Sequence, residues 1–158
     1  MKKFIIMTLF CFMGVLNGYS QTEKMSAAEL NFRNGIEKFL KEEGFFPTID
    51  DDDNSLNFKK EGESYWLTVE DNDPYYIRLH KIGYTTKTAN RKILLEACNH
   101  TNMNIRCGKA CALDESVSFV VEFYCYSLEG FKNTFYNNMR AVDRVKSSTS
   151  EYYNEHDK

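Results

Sequence analysis

Four oxygen-bearing side chains in the first half of the chain have the spacing of a calcium-binding loop. They match positions 1, 3, 5 and 12 of that loop, whose oxygens ligate the ion: Asp50, Asp52, Asn54 and Glu61. Position 6 of the loop is normally a glycine, which allows a sharp turn, but here it is Ser55, and the flanking segments alternate like strands. The pattern therefore favours an acidic hairpin tip in contact with water. A weakly calcium-binding module at the Asp50–Glu61 turn is the alternative that this motif leaves open.

The three histidines, His80, His100 and His156, are the next candidates for chemistry. None stands in the sequence context of a Ser-His-Asp or Cys-His nucleophilic site. His80 falls next to Lys81 on a predicted strand, where a surface or half-buried imidazole is the common outcome. We predict that the protein is not an enzyme and has neither catalytic residues nor a cofactor. An envelope enzyme with an unrecognised site, using His80 and a nearby carboxylate, is the competing hypothesis.

Aromatic side chains on neighbouring predicted strands suggest binding rather than catalysis. A sheet has two faces, and three helices can cover only one of them well. If the other face keeps several rings, it forms an exposed patch suited to a partner or a second subunit. Tyr65 and Trp66 are adjacent and must point to opposite faces, so only one of them can serve this patch. The candidate partner-binding residues are Trp66, Tyr75, Tyr76, Tyr124 and Tyr126.

The N-terminus has the pattern of a bacterial export signal. Lys2 and Lys3 precede the apolar run Phe4–Leu16, whose length suits a signal-peptide core and falls short of the roughly 20 residues of a membrane-spanning helix. We predict that residues 1–20 are a signal peptide and that the mature chain begins at Gln21. The protein is then exported, periplasmic or secreted, with no membrane span after cleavage.

Four cysteines remain after the predicted cleavage: Cys98, Cys107, Cys111 and Cys125. Together with His100 they match no compact zinc pattern, so no metal is predicted. In an oxidising compartment they could pair in three ways, between which the sequence does not choose. If residues 105–112 form a strand, about 13 Å separates the second and third cysteines, whereas a disulfide needs Cα atoms within about 7 Å. Unpaired, buried thiols are the expected state.

Length and charge limit the function further. About 138 residues remain after cleavage, which suits one domain, predicted here at residues 21–146 with a polar C-terminal tail at 147–158. The formal net charge is −3 and no basic run follows the signal. Because phosphate backbones are bound by basic patches, no nucleic-acid partner is expected.

Apolar periodicity predicts three helices. Ser26 and Glu29 form a capping box before a helix that runs from about Ala27 to Glu43, with Gly44 as its stop. A second helix is predicted at Thr88–Asn99. Ser127 caps the last helix, whose apolar stripe consists of Phe131, Phe135, Met139, Val142 and Val145.

Period-two alternation and turn residues predict the strands. They are Phe45–Ile49, Leu56–Lys60, Ser64–Glu70 and a fourth from Tyr75 to Leu79, then Ile105–Ala112 and Val117–Tyr126. Helices separated from runs of strands indicate the α+β class, with the order α-β(3-4)-α-β2-α. We expect an antiparallel sheet with the helices packed mainly on one face.

Segments spread over most of the chain resemble YbjN-like domains, which share the fold of type III secretion chaperones. They are FLKEEGF, then IDDDDNSLNFKKEGESYWLTV, the Asp-Pro-aromatic-aromatic-x-Arg-Leu run at Asp73–Leu79, and CNHTNMNIRCGKACALDESVSFVVEFYC. The resemblance covers about Ser26 to Val145. It implies a five- or six-stranded sheet with helices against it, frequent dimerisation, and a binding or chaperone-like role. It carries no site residues with it, and the export signal conflicts with a cytosolic secretion-chaperone role.

These observations predict a non-enzymatic, exported binding or chaperone-like domain. Its partners would be an unknown protein or peptide and a second copy of the chain, as a homodimer.

Overall fold

Three helices lie against one face of a six-stranded antiparallel sheet in the described part of the chain. The computed structural model describes residues 25–70, 73–84, 89–114 and 116–157, and the predicted signal peptide lies outside them. The elements in chain order are α1 (Ala27–Glu42), β1 (Thr48–Ile49), β2 (Leu56–Lys60), β3 (Glu63–Glu70), β4 (Tyr75–Tyr84), α2 (Arg91–Asn104), β5 (Lys109–Ala112), β6 (Ser116–Cys125) and α3 (Leu128–His156). The predicted α+β class is confirmed.

The first helix begins and ends where its capping residues indicate. The Ser26 side chain accepts a hydrogen bond from the backbone N–H of Glu29, and the Glu29 carboxylate accepts one from the Ser26 N–H. At the other end Gly44 adopts φ +86°, which a residue with a Cβ rarely does. Both signals were present in the sequence.

The strands are in the order β1-β2-β3-β4-β6-β5. The β2–β3 connection is a two-residue hairpin turn, in which Glu61 and Gly62 have φ values of 53° and 84°. Two consecutive positive φ values match the twist of a two-residue hairpin. The long central pair of β4 and β6 runs in register from Tyr75 opposite Cys125 to Gly83 opposite Val117.

Alternation along the strands separates the two faces of the sheet. In β4, Ile77 and Leu79 are buried against the helices, so Tyr76, Arg78 and His80 lie on the opposite face. The helix-side core also includes Leu56, Phe58, Leu67, Val121, Ile36, Leu40, Phe131, Phe135, Met139, Val142 and Val145. The face opposite the helices is hereafter called the open face.

Two predicted elements are displaced in the structure. The second helix, expected at Thr88–Asn99, starts after the N-cap Asn90 and continues to Asn104, because Thr101 is buried against α3. The following strand begins at Lys109 instead of Ile105.

Close packing at Gly108 accompanies the late start of β5. A Cβ at this glycine would lie 2.6 Å from Val145 Cγ2 and 3.1 Å from the Val120 carbonyl oxygen. Because Cys107 precedes the strand, the distance argument that separated it from Cys111 does not apply.

The remaining differences concern strand length and the C-terminal segment. The first strand has only two residues, and β4 extends to Tyr84. The polar segment 147–158, predicted as a C-terminal tail, is helical as far as His156, because α3 continues to that residue. Thr149 is buried and donates to Thr101 Oγ1 at 3.0 Å, so this polar sequence still packs through its small hydroxyl side chains. No described helix is long and apolar enough to cross a membrane.

Candidate functional site

Three of the five predicted binding residues lie on the open face. Register places Trp66 opposite His80 and Tyr76 opposite Tyr124. The Trp66 and His80 rings stack with centroids 5.8 Å apart and planes at 12°. The Tyr76 and Tyr124 rings are 5.5 Å apart and tilted by 54°. Cross-strand pairing therefore sets two aromatic pairs on this surface.

A charged network lies beside the aromatic pairs. Arg78 Nε is 3.2 Å from Glu122 Oε1, and Lys109 Nζ is 2.5 Å from Glu122 Oε2. The Tyr76 hydroxyl also bonds to Glu122. Burial alone would raise the pKa of Glu122, but the hydrogen bonds from these three partners outweigh it and lower the pKa. The carboxylate is thus held charged between two cations.

The other two predicted residues lie elsewhere. The Tyr75 ring is on the helix side, stacked on Phe32 with centroids 3.9 Å apart, so Tyr75 is not part of the open face. Tyr75 and Ile77 are two positions apart in β4, so their side chains point to the same face of the sheet. Tyr126 follows the end of β6 and is 80% exposed. A partner-binding role for any of the five residues stays a prediction.

His80 is half-buried on the open face, where its ring stacks on that of Trp66. Burial lowers its pKa, and the neighbouring Arg78 lowers it further, so the imidazole is neutral at neutral pH. Its Nδ1 has no hydrogen-bond partner among the described residues. Neither the cavity at the β2–β3 turn nor the groove beside the end of β6, both described below, is lined by His80.

A cavity of about 390 Å³ opens between the sheet and α3 at the β2–β3 turn. At its wall Lys81 is only 4% exposed. Its Nζ lies 2.8 Å from Asp143 Oδ1, forms a second ion pair with Glu63, and sits 4.4 Å from the centroid of the Tyr65 ring. These four residues are hereafter called the Lys81 cluster.

The cluster ties α3 to the central strands. The Tyr65 hydroxyl donates to Asp143 Oδ1 at 2.7 Å and accepts from Lys81 Nζ at 3.3 Å. Burial raises the pKa of Tyr65, and the bond to Asp143 raises it further. Burial alone would raise the pKa of Asp143, but the hydrogen bonds from Lys81 and Tyr65 outweigh burial and lower it. The buried ammonium group is therefore matched by two carboxylates.

We expect the contribution of Asp143 to stability to be lost in acid. Because its pKa is lower in the folded protein than its ordinary value of 3.8, the stabilisation is fully present above that value. It disappears as the pH falls through the lower, folded pKa. Urea unfolding of the wild type and of Asp143→Asn should show a free-energy difference that is constant above about pH 5 and shrinks below about pH 4. A difference independent of pH would contradict this reasoning.

The acidic segment after β1 forms a hairpin tip. The Asp50 and Asp53 carboxylates accept bonds from the N–H groups of Asp52 and Ser55, both at 2.9 Å. Glu61 lies at the other end of β2, on the order of 16 Å away for five extended residues. Asp50 and Glu61 therefore cannot ligate one ion, as the calcium-loop spacing would require.

The cysteines are free thiols in the described structure. Cys98 and Cys125 are buried, whereas Cys107 and Cys111 are exposed. Burial raises the pKa of Cys98, which keeps that thiol protonated and unreactive. Within the described ranges, no three His, Cys, Asp or Glu side chains are grouped so that they could hold a metal ion.

The Lys81 cluster was missed by the sequence interpretation, although a signal for it exists. Tyr75, Ile77 and Leu79 alternate toward the helices, and the next position of that parity is Lys81. The predicted strand ends at Leu79, so Lys81 lies outside the predicted alternation. A lysine at an inward position of a long strand indicates a buried partner carboxylate.

Comparison with known proteins agrees with this architecture. Residues 33–157 match the sequence model of the YbjN family, described as "Putative bacterial sensory transduction regulator". The fold is similar to a solved structure titled "Crystal structure of YbjN, a putative transcription regulator from E. coli", with a TM-score of 0.58 and 12% identity over 72% of this chain and 86% of that chain. At this identity the likeness concerns the fold alone. No curated protein matches the chain.

Proposed function

The chain belongs to the YbjN family, and from that premise we propose that it is a non-enzymatic, exported domain that binds a protein or peptide partner. The observation that carries the proposal is the open face, which the three helices leave uncovered. The description of the family as a regulator agrees with a protein that acts by binding.

The composition of the open face is that of a protein interface. Trp66, Tyr76 and Tyr124 supply large rings at low cost in side-chain entropy, and tryptophan, tyrosine and arginine are enriched where proteins bind each other. Glu122 forms ion pairs with both Arg78 and Lys109, so each charged group of this network has a partner and the three residues together carry one net positive charge. An aromatic surface beside such an ion-pair network favours recognition of another polypeptide.

The same geometry gives little support to catalysis. His80 is stacked on Trp66 and has no carboxylate partner at Nδ1 among the described residues. Lys81, the most buried ionisable amine described, is held by Asp143 and Glu63. A lysine whose amine nitrogen is engaged by two carboxylates is a poor nucleophile.

Export rests on the N-terminal sequence. The pair Lys2–Lys3 and the apolar run Phe4–Leu16 have the order of a signal peptide. Cell fractionation should recover the protein outside the cytoplasm, with a mass that corresponds to a chain beginning at Gln21. A cytoplasmic protein that begins at Met1 would contradict export.

Affinity capture tests the binding function. The purified protein and its Trp66→Ala variant are immobilised and exposed to an extract of the cell envelope, and the retained proteins are identified by mass spectrometry. We expect one partner to be retained by the wild type and lost from Trp66→Ala. Phe46→Ala is the matched control, because it removes an aromatic ring that is 89% exposed in the connection between α1 and β1 and therefore outside the strands of the open face.

Two other outcomes have defined meanings. Equal capture by the wild type and Trp66→Ala would contradict the open face as the docking surface. If the only retained protein is the chain itself, the partner is a second copy, and sedimentation equilibrium should show a dimer that Trp66→Ala weakens.

A further inference from the structure

One edge of β6 is only half covered. β5 pairs with Val117–Val120 of β6, whereas β6 continues to Cys125. In the described part of the chain, Val121–Cys125 has β4 on one side and no strand on the other.

The direction of the free backbone groups follows from the β5–β6 hairpin. The Leu113 N–H donates to the Ser116 carbonyl at 2.8 Å, which makes these residues a hydrogen-bonded pair. Because such pairs alternate along an antiparallel ladder, the even-numbered residues of β6 face the β5 side. The N–H and C=O groups of Glu122 and Tyr124 therefore point to the free edge. No backbone hydrogen bond joins them to a described residue there.

A groove of about 300 Å³ lies along this edge, between the end of β6 and the first turns of α3. Phe123, Thr134 and Asn138 line it. The Asn138 Nδ2 is buried and has no hydrogen-bond partner among the described residues. Tyr124 and Tyr126, 65% and 80% exposed, border the groove.

The outer edge of β5, the neighbouring strand, is covered by a side chain of α2. The Asn102 side chain of α2 accepts from the Ala110 N–H at 2.7 Å and donates to the Ala110 carbonyl at 3.0 Å, so an amide closes the edge of β5. Natural proteins usually protect edges with lysine, proline, bulges or a covering element. Val121–Cys125 contains no lysine or proline, and no described strand pairs with its outer edge.

We propose that the free edge of β6 binds an extended peptide segment of a partner protein, which adds to the sheet as a strand alongside Val121–Cys125. This inference rests on the proposed binding function and names the class of partner. Backbone hydrogen bonds to Glu122 and Tyr124 would supply affinity, and side chains at alternate positions would supply specificity. Peptide side chains on one face of the added strand would enter the groove beside Phe123, and those on the other face would lie beside the Tyr124 ring.

The size of the site favours a peptide over a second copy of the chain. A stable protein–protein interface buries roughly 1,200–2,000 Å², whereas the free edge is five residues, about 17 Å, long and is flanked by a groove of about 300 Å³, dimensions that match a single strand. The edge is also bounded by β5 at one end and by the entry into α3 at Ser127. A single extended strand fits between these limits.

The test uses a synthetic nonapeptide selected from a displayed random library on the purified protein. In the free protein the amides of Glu122 and Tyr124 should exchange with solvent rapidly, whereas that of Phe123, bonded to β4, should exchange slowly. Saturating peptide should slow exchange at Glu122 and Tyr124 by at least about tenfold. Unchanged exchange at both residues in the complex would overturn the inference.

A pair of variants separates the backbone contact from the side chain. Tyr124→Pro removes the outward N–H, which no ladder bond uses, and proline is tolerated at such edge positions. Tyr124→Ala removes the ring but keeps the N–H. Peptide binding should fall about tenfold or more in Tyr124→Pro relative to Tyr124→Ala. If Tyr124→Pro does not fold, N-methylation of the peptide gives the same comparison. Methylation of the peptide amides that face β6 should abolish binding, whereas methylation of the intervening amides, which face away from β6, should leave it unchanged.

Failure of this inference is distinguishable from failure of the proposed function. Peptides that bind with the same affinity to Tyr124→Pro and lose affinity for Trp66→Ala would overturn the edge site and leave the open face as the docking surface. If no peptide is enriched on the protein, the edge site is overturned, and the capture experiment decides the proposed function separately.

Discussion

A variant that combines Asp143→Asn with Glu63→Gln should lose about 3–5 kcal/mol of unfolding free energy, because it leaves a buried ammonium group without a carboxylate. Lys81 is 4% exposed and its described ion pairs are those with Asp143 and Glu63. The two carboxylates are more exposed than the lysine, so the loss comes mainly from the stranded cation. Urea unfolding at neutral pH measures it.

Each single variant should be destabilised by less than half of the combined loss. After Asp143→Asn, Glu63 still neutralises Lys81, and after Glu63→Gln, Asp143 does. Residues of one ion-pair network are expected to be non-additive in this way. Additive single losses would mean that the two carboxylates act independently and that Lys81 is not the group they share.

Adding Lys81→Met to the double variant provides the control. Methionine has a similar length, is apolar, and can remain in contact with the Tyr65 ring. Replacement of a buried ion-pair network by packed apolar residues is often neutral, so the triple variant should recover most of the loss. If the triple variant is as unstable as the double variant, the destabilisation arises from lost packing or hydrogen bonds at Asp143 and Glu63.

Strands β2 and β3 could be predicted because their determinants are local. Alternation in Leu56–Lys60 and Tyr65–Val69, with turn residues between them, fixes strand identity, facing and the hairpin turn. The capping box at Ser26 fixes the start of α1 in the same way. The assignment of Trp66 to the face opposite Tyr65 follows from parity alone and is found in the structure.

Elements defined by distant contacts were less predictable. The end of α2 depends on Thr101 meeting Thr149, and the length of α3 depends on the same contact. The start of β5 depends on Gly108 packing against Val145 and Val120. None of these pairings leaves a periodic signal in its own segment, so boundaries there were displaced by several residues.

The free edge of β6 could not be predicted from the sequence for a related reason. It exists because β5 is four residues long and pairs only with the first half of β6. The predicted strand Ile105–Ala112 has eight residues and, in the observed register, would have paired with β6 as far as Tyr124. The open face, in contrast, depends only on strand alternation and on the number of helices available to cover a sheet.

The largest loss from a single substitution is expected for Phe135→Ala. Phe135 is fully buried, and its ring centroid lies 5.3 Å from that of Phe39, 5.5 Å from Phe131 and 6.0 Å from Phe58. One side chain thus joins α1, α3 and β2. Truncation of a buried phenylalanine typically costs about 3–5 kcal/mol, a large part of the roughly 5–15 kcal/mol that stabilises a domain.

Phe46→Ala is the matched control for this loss, because it makes the same chemical change at a ring that is 89% exposed. Its unfolding free energy should stay within about 0.5 kcal/mol of the wild type. The comparison separates burial from residue type, since both variants lose one phenyl group. If Phe135→Ala unfolds at the same urea concentration as Phe46→Ala, the aromatic cluster around Phe135 does not hold α1 and α3 against the sheet.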